Sequence, residues 1–361
     1  MAVLGTRPEA IKMCPVIIEL KKRKNVDLYV CITGQHREML RSVLDIFGVR
    51  ADCDLDIMKE GQSLADITKA VLDGISEVLE REKPDVVLVH GDTTTAFAAS
   101  LACFYKGVPV GHVEAGLRTY DVYSPYPEEF NRRAIDITAS YLFAPTRLSA
   151  ENLLREGADE SSIFVTGNTA IDALRLTVRE EYSSPITEAA AGKRIILLTA
   201  HRRESHGEAL RGIFRAVRRI ANEFDDVMIV CPVHPNPVVR AAAEEILSGH
   251  ERIMLTEPLD VIAFHNLMAK SRFIMTDSGG IQEEAPSLGK PVLVLRDVTE
   301  RPEGVEAGTL RIVGTDEEKV YLACKNLLCN ETEYAKMSSA ENPYGDGKAS
   351  RRIADALLSE A

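Results

Sequence analysis

The stretch RFIMTDSGGIQEEA, residues 272–285, shows how this chain folds. An apolar run with strand character ends at an aspartate, a Ser-Gly-Gly turn follows, and an apolar pattern of helical period then begins. Short apolar strands that lead directly into helices are typical of parallel sheets with helical crossover connections. We therefore predict an α/β fold and look for the same unit elsewhere in the chain.

The strand-turn-helix unit recurs along the whole sequence. After a short first strand that ends at Gly5, the patterns predict strands at 26–33, 85–91, 108–114, 141–145, 163–167, 194–201, 227–232, 252–256, 272–276, 291–295 and 310–313. They also predict helices that include 10–20, 64–81, 170–182, 208–224, 260–270, 317–328 and 350–359.

A chain of 361 residues exceeds the usual size of a single core. Two Rossmann-like, doubly wound domains that face a cleft are the simplest solution. The predicted domains are residues 1–168 and 169–346, with a C-terminal helix at about 347–361 packed back on the first.

Composition narrows the class of protein. A net charge of -12 opposes nucleic-acid binding, which needs clustered cationic surface. Seven cysteines, without a C-x-x-C pair, favour a reducing compartment over a disulfide framework. No signal-peptide pattern or membrane-spanning apolar run occurs in the sequence. We expect a soluble, cytoplasmic protein without nucleic-acid or membrane partners.

The turn after the first strand is a candidate anion site. Gly5 leads into a helix, and the basic side chains of Arg7 and Lys12 lie near backbone N–H groups of its first turns. The alternative is that Arg7 simply pairs with Glu9 on the surface.

Acidic side chains follow two neighbouring predicted strands. Asp92 comes after 85–91 and Glu114 ends 108–114, and strand ends of a parallel sheet meet at one edge. Asp92 has an alternative role as a helix N-cap. A third acid, Glu128, begins a predicted helix one turn before Arg132, where the alternative is a surface salt bridge worth about 0.3–0.5 kcal/mol.

The second half carries basic and glycine-rich strand ends. His201 and His234 follow two strands, but close ligand pairs such as H-E-x-x-H do not occur, so we predict phosphate contact and no metal. The turn Ser278-Gly279-Gly280 has the geometry that binds a pyrophosphate, with Glu284 placed to reach ribose hydroxyls and Arg301 nearby. The sequence contains neither G-x-G-x-x-G nor G-x-x-x-x-G-K-[ST], which removes the usual support for nicotinamide or ATP mechanisms.

Taken together, these clusters closely resemble the non-hydrolysing UDP-N-acetylglucosamine 2-epimerases, over nearly the whole chain. The matching strings are GTRPEAIK (5–12), HGDTTT (90–95), HVEAGLR (112–118), GNT (167–169), HRRES (201–205), TDSGGIQEEAPSLGKP (276–291) and NPYGDG (342–347). The resemblance implies a GT-B-type fold, a homodimer, and UDP bound mainly by the second domain while the first supplies catalytic carboxylates. It implies no cofactor.

Site residues follow from the resemblance by matching position. Contacts to substrate or UDP are implied for Arg7, Lys12, Asp92, Glu114, His201, Ser278, Gly279, Gly280, Glu284 and Arg301, and uracil contacts for Leu259 and Phe264. Many bacterial members bind a second UDP-N-acetylglucosamine as an activator, at positions that match Gln35, His36, Gln62, Arg202 and His234.

The family reaction interconverts UDP-N-acetylglucosamine and UDP-N-acetylmannosamine. It proceeds by elimination of UDP to 2-acetamidoglucal and re-addition, which needs a base, an acid and cations at the departing phosphate. Asp92, Glu114 and Glu128 are the candidate carboxylates, with Arg132 orienting one of them. The alternatives are a hydrolysing relative, a retaining glycosyltransferase of the same fold and a non-catalytic nucleotide-sugar sensor. The implied product feeds cell-surface polysaccharide synthesis.

Overall fold

The computed structural model describes residues 1–34, 37–59 and 61–359. The chain divides into two compact units: unit 1 comprises Met1–Leu176 and Tyr344–Ala361, and unit 2 comprises Thr177–Pro343. Each unit contains a parallel sheet with helical crossovers, so the predicted pair of Rossmann-like α/β units is confirmed.

Parallel strands form the centre of each unit. Those of unit 1 are β1 Ala2–Leu4, β2 Val30–Ile32, β3 Cys53–Asp54, β4 Val87–His90, β5 Val110–Val113, β6 Tyr141–Ala144 and β7 Ile163–Val165. Those of unit 2 are β8 Arg194–Thr199, β9 Val227–Pro232, β10 Ile253–Thr256, β11 Phe273–Thr276, β12 Val292–Val294 and β13 Leu310–Ile312. Their order is β3-β2-β1-β4-β5-β6-β7 in unit 1 and β10-β9-β8-β11-β12-β13 in unit 2.

Helices connect successive strands. They are α1 Arg7–Lys21, α2 Arg37–Ile46, α3 Leu64–Glu82, α4 Thr94–Lys106, α5 Glu128–Thr138, α6 Arg147–Arg155, α7 Thr169–Thr177, α8 Pro185–Ala189, α9 Glu208–Glu223, α10 Pro237–Leu247, α11 Val261–Lys270, α12 Gly279–Glu284, α13 Pro302–Glu306, α14 Glu317–Cys329, α15 Glu331–Ser338 and α16 Ala349–Ser359. In the part of the chain described above, none of them has the length and apolarity required to cross a membrane.

The central strands are apolar on both faces because each face meets a separate layer of helices. In β8, Ile196 and Leu198 belong to one hydrophobic cluster of unit 2, whereas Ile195 and Leu197 belong to the other. Successive side chains of a strand point to opposite faces, so in a doubly covered strand both sets of side chains are buried and most of them are apolar. This explains the continuous apolar runs in the sequence.

The C-terminal helix belongs to unit 1. α16 packs against α1, and its side chains Ile353 and Leu357 join the core on that face of the sheet. The carboxylate of Asp172 accepts hydrogen bonds from the backbone N–H groups of Ala349 and Ser350, at 3.1 and 2.8 Å. These bonds fasten the start of α16 to α7.

Three details differ from the sequence prediction. Unit 1 continues through most of α7 to Leu176, beyond the expected boundary at residue 168, because α7 carries the Asp172 that holds α16. α7 also ends at Thr177 and not at 182. The Asn266 side chain donates a hydrogen bond to the Thr177 carbonyl and accepts one from the Arg179 N–H, at 2.8 Å each. These backbone groups at the end of the helix are therefore hydrogen-bonded without another helical turn. The edge strand β3 was not predicted, because its two residues lie among polar neighbours.

Candidate active site

The turn between β1 and α1 is held by a buried carboxylate. Thr6 is the N-cap of α1, and Glu9 accepts hydrogen bonds from the N–H groups of Gly5 and Thr6 at 3.1 and 2.7 Å. The hydroxyl of Thr93 also donates to Glu9, at 2.9 Å. Glu9 therefore ties this turn to the end of β4, a buried role that differs from the surface pair with Arg7 considered above. Arg7 is half-buried at the first residue of α1.

Glu114 lies at the carboxyl end of β5 among polar groups from three other elements. The ammonium of Lys12 on α1 forms an ion pair with its Oε2, and the Asn168 Nδ2 donates to the same oxygen at 3.3 Å. His90 Nε2 lies 3.7 Å from this oxygen. The carboxylate is therefore fixed beside a cation, at a strand end where a ligand of a parallel sheet is expected.

Asp92 follows the neighbouring strand and is held by α5. Arg132 Nη2 donates to Asp92 Oδ2 at 2.5 Å, and Asn131 Nδ2 donates to the Asp92 carbonyl at 2.9 Å. Thr93, and not Asp92, is the N-cap of α4, so the alternative role of Asp92 is wrong. Glu128 is half-buried at the first residue of α5, one turn before Arg132.

Arg132 is not the partner of a surface helix pair. Its side chain is only 12% exposed, and besides Asp92 it lies 3.5 Å from the buried carboxylate of Glu129. Glu129 in turn accepts from the N–H groups of Thr119 and Tyr120, at 3.0 and 3.1 Å. The helix start thus orders the loop that precedes it, a role the sequence did not reveal.

His90 provides a prediction for pH dependence. Among the described residues its Nε2 has no hydrogen-bond partner, and burial lowers the pKa of His90 to about 3. An unfolded histidine has a pKa of about 6.5. Between these values the unfolded chain binds a proton that the folded protein does not, so stability decreases as pH falls, by up to about 1.4 kcal/mol per pH unit.

We expect His90→Gln to remove this contribution. The free energy of unfolding, measured by urea titration from pH 7 to 5, should then fall less steeply than that of the parent, even if the variant is less stable at pH 7. Parallel pH profiles for the two proteins would show that His90 is protonated in the folded state.

In unit 2 a buried aspartate orders the end of β8. Asp277 Oδ2 accepts from the backbone N–H groups of His201 and Arg202, at 2.6 and 2.7 Å, and its Oδ1 lies 3.1 Å from His201 Nδ1. Although burial opposes the charge, the hydrogen bonds and the His201 ring lower the pKa of Asp277. The His201 ring stacks on that of His234, with 5.1 Å between centroids.

The Ser278-Gly279-Gly280 turn lies between a cation and a carboxylate. A Cβ atom on Gly279 would lie 3.5 Å from Arg301 Nη2, and one on Gly280 would lie 4.0 Å from Glu284 Oε1. Arg301 Nε is also paired with Glu283. The guanidinium of Arg301 therefore lies beside the N–H groups that begin α12. Both can donate hydrogen bonds to a bound anion.

The two residues matched to uracil contacts are half-buried. Leu259 and Phe264 pack on the hydrophobic cluster of unit 2 that includes Ile195 and Leu267. Between them Asp260 caps α11 by accepting from the N–H of Ala263 at 2.8 Å.

The residues matched to an activator site differ in whether they contact the candidate active site. Gln35 and His36 lie outside the described residues. Gln62 bonds within its own loop, donating to the Ile57 carbonyl at 2.9 Å and accepting from the Lys59 N–H at 2.7 Å. His234, by contrast, contacts the candidate site directly through the His201 ring.

Sequence reasoning missed several buried polar residues. His112 and Asp136 form a pair at 2.6 Å, and His265 Nε2 lies 3.8 Å from Glu284 Oε2. The signal for His112 was a polar residue inside an otherwise apolar parallel strand. Over residues 1–34, 37–59 and 61–359, no group of three or more His, Cys, Asp or Glu side chains is arranged to hold a metal ion.

Two Rossmann-like units, each with a parallel sheet and helical crossovers, give this chain the α/β organisation of the GT-B-like proteins. A model of the family described as UDP-N-acetylglucosamine 2-epimerase matches residues 18–358. The UDP-N-acetylglucosamine 2-epimerase of Bacillus subtilis (strain 168) is 60% identical over 358 residues, which cover 99% of this chain and 94% of that protein. The chain therefore belongs to the UDP-N-acetylglucosamine 2-epimerase family, and the resemblance of the motifs is confirmed.

Solved structures agree with this assignment. The crystal structure of UDP-GlcNAc 2-epimerase from Neisseria meningitidis bound to UDP-GlcNAc matches with a TM-score of 0.91 at 49% identity, covering 99% of each chain. The structure of S. aureus MnaA with UDP matches with a TM-score of 0.91 at 54% identity, covering 100% of this chain and 96% of that one.

Proposed function

We propose that this protein catalyses the reversible C2 epimerisation of UDP-N-acetylglucosamine to UDP-N-acetylmannosamine without hydrolysis. The observation that carries the proposal is the pair of carboxylates Asp92 and Glu114 at adjacent strand ends, each held by a cationic side chain. The relatives support the substrate: the B. subtilis protein bears the name of this activity, and the N. meningitidis and S. aureus structures contain UDP-GlcNAc and UDP.

The chemistry of C2 favours an elimination. C2 is not adjacent to a carbonyl carbon of the ring, so simple deprotonation is not available to invert it. In the proposed first step a base takes the C2 proton, the C1–O bond to UDP breaks, and a C1=C2 double bond forms in 2-acetamidoglucal. Return of a proton to the opposite face of C2 and re-addition of UDP at C1 give the epimer. The sequence is redox neutral, so it needs no redox cofactor.

Unit 1 supplies the proton transfers in this proposal. Asp92, Glu114 and Glu128 are the acid and base candidates, and Arg132 orients Asp92 through its 2.5 Å hydrogen bond. Positioned general acids and bases typically contribute about 10²–10⁴-fold to the rate. Lys12 and Arg7 add positive charge to this unit, which favours the development of negative charge on a leaving group.

Unit 2 binds UDP in this proposal. Arg301, His201 and the Ser278–Gly280 turn receive the diphosphate, because cations and free backbone N–H groups stabilise a leaving anion. Glu284 accepts from the ribose hydroxyls. The half-buried Leu259 and Phe264 contact the uracil.

The decisive experiment is a proton NMR time course in D2O with UDP-N-acetylglucosamine, without added metal or nicotinamide. We expect UDP-N-acetylmannosamine with deuterium at C2. Free N-acetylmannosamine would instead establish a hydrolysing enzyme, and an unchanged spectrum would favour a glycosyltransferase, which requires an acceptor, or a nucleotide-sugar sensor.

We also propose a cytoplasmic role in supplying N-acetylmannosamine for cell-surface polysaccharides. The free thiols of the seven cysteines are compatible with a reducing compartment. Nucleotide sugars are the usual donors for such polymers, which supports a biosynthetic role.

Substrate activation is a further part of the proposal. His234 stacks on His201, so a second UDP-N-acetylglucosamine bound at His234 and Arg202 would act directly on a group that contacts the diphosphate. We expect sigmoidal initial-rate kinetics that become hyperbolic in His234→Ala. Hyperbolic kinetics in the parent protein would refute activation.

We propose that the protein is a homodimer that pairs through the exposed surface of α4 and α5. These helices pack together, and they leave large hydrophobic side chains exposed: Phe104, Tyr105, Phe130 and, at 85%, Ile137. Clustered exposed apolar residues commonly mark an interface. Light scattering should give a dimeric mass for the parent and a monomeric mass for Ile137→Glu, while Leu322→Glu on α14 should remain dimeric. A monomeric parent would contradict the proposal.

A further inference from the structure

The side chain of His112 is completely buried in β5 between two hydrogen-bond acceptors. Its Nδ1 lies 2.6 Å from Asp136 Oδ1, and its Nε2 lies 2.7 Å from the carbonyl oxygen of Gly91. A carbonyl oxygen only accepts, and so does an ionised carboxylate. A neutral imidazole has one N–H and can satisfy only one of these contacts.

Asp136 is held in its ionised form by other donors. Its Oδ2 accepts from Arg118 Nη2 at 2.7 Å and from the Gly116 N–H at 3.2 Å. Burial opposes the charge, but the His112 and Arg118 interactions lower the pKa of Asp136. Arg118 also pairs with Glu156, the residue that follows α6, at 2.7 Å, and Glu156 lies 3.7 Å from Arg133 as well.

From this geometry we infer that His112 is a buried imidazolium that positions the turn carrying Asp92. Both ring nitrogens donate, one to Asp136 of α5 and the other to the last carbonyl before Asp92. The other titratable side chain close to it on the adjacent strand is His90, which burial keeps neutral.

The turn that carries Asp92 is linked to α5 through two consecutive residues, Gly91 and Asp92, whose oxygens accept hydrogen bonds. His112 links the Gly91 carbonyl to Asp136, Asn131 binds the Asp92 carbonyl, and Arg132 binds the Asp92 carboxylate. Residues Asn131, Arg132 and Asp136 all belong to α5. The direction of the Asp92 carboxylate is thereby fixed by one rigid helix, and His112 is the positioning residue that completes the attachment.

The protonation state is tested on the parent protein by NMR with ¹⁵N-labelled histidine, independently of activity. We expect both nitrogens of His112, assigned by their loss in His112→Gln, to carry hydrogen at pH 7. In Asp136→Asn, one His112 nitrogen should become unprotonated. An unprotonated ring nitrogen in the parent at pH 7 would overturn the inference, whether or not the substituted proteins fold.

The positioning role rests on the proposed function and has a separate kinetic test. We expect His112→Gln to lower kcat for epimerisation by about 10–100-fold with little change in KM, because misplacing a reacting group by about 1 Å can cost 10²-fold. His250→Gln, at the surface of unit 2, should retain the parent kcat. Unchanged kcat in a folded His112→Gln protein would refute positioning, while absence of epimerisation in the parent would refute only the proposed function.

Discussion

Glu114→Gln is expected to reduce turnover of UDP-N-acetylglucosamine by about 10²–10⁴-fold, the contribution typical of a positioned acid or base. The substitution keeps the volume of the side chain and removes its charge and its capacity to take a proton. It also removes the negative charge that pairs with the Lys12 ammonium, which is only 14% exposed, at an expected cost in unfolding free energy of about 1–3 kcal/mol. Turnover is measured by the NMR time course and folding by circular dichroism.

Deuterium exchange then assigns the direction of proton transfer. If Glu114 removes the proton from UDP-N-acetylglucosamine, the variant should incorporate no deuterium at C2 of this substrate. If Glu114 instead protonates the opposite face, deuterium should enter UDP-N-acetylglucosamine without formation of the epimer. Glu160→Gln, an exposed change in the same unit, is the matched control and should behave as the parent. A folded Glu114→Gln protein with parental turnover would remove Glu114 from the mechanism.

Gly116→Ala should have the largest effect on stability. Gly116 has a φ of +82°, and a Cβ atom there would overlap with the backbone carbonyl oxygen of Ser149 on α6. Left-handed backbone costs a non-glycine residue about 1–2 kcal/mol, and overpacking costs about 1–3 kcal/mol more. We expect a loss of about 2–5 kcal/mol in the free energy of unfolding, measured by urea titration.

Gly157→Ala separates the two causes. Gly157 has a similar φ of +89°, but a Cβ atom there would have no neighbour within 4 Å. This variant should lose only the backbone contribution, about 1–2 kcal/mol. Equal losses in the two variants would show that α6 moves away from Gly116 without cost.

The sequence predicted the strands of both units well because each is a short apolar run next to a turn. The pattern at 227–232 matches β9, and the other predicted strands exceed the observed ones by a few polar or terminal residues. The strand β3 escaped prediction because it is only two residues long and lies among polar neighbours in the sequence. The end of α7 escaped it because the residue that satisfies its carboxyl end, Asn266, is distant in sequence.

Some features of the candidate site could also be predicted from the sequence, and others could not. Placing Asp92 and Glu114 at one edge needed only the rule that parallel strands end together, so the sequence was sufficient. The partner of Arg132 was not predictable from the helix alone. Glu128 has the favourable spacing, yet the carboxylate that Arg132 binds is Asp92, which precedes it by 40 residues.

By itself, the sequence determined the α/β class, the two-unit organisation, the strand-end residues and, through its motifs, the family. These properties depend on periodicity and on turn residues that are neighbours along the chain. The tertiary structure alone decided which charged groups meet: Lys12 with Glu114, 102 residues apart, and His112 with Asp136 on α5. Such pairs depend on strand register and helix packing, because side chains from separate elements come within hydrogen-bond distance only after the sheet and its helices have assembled.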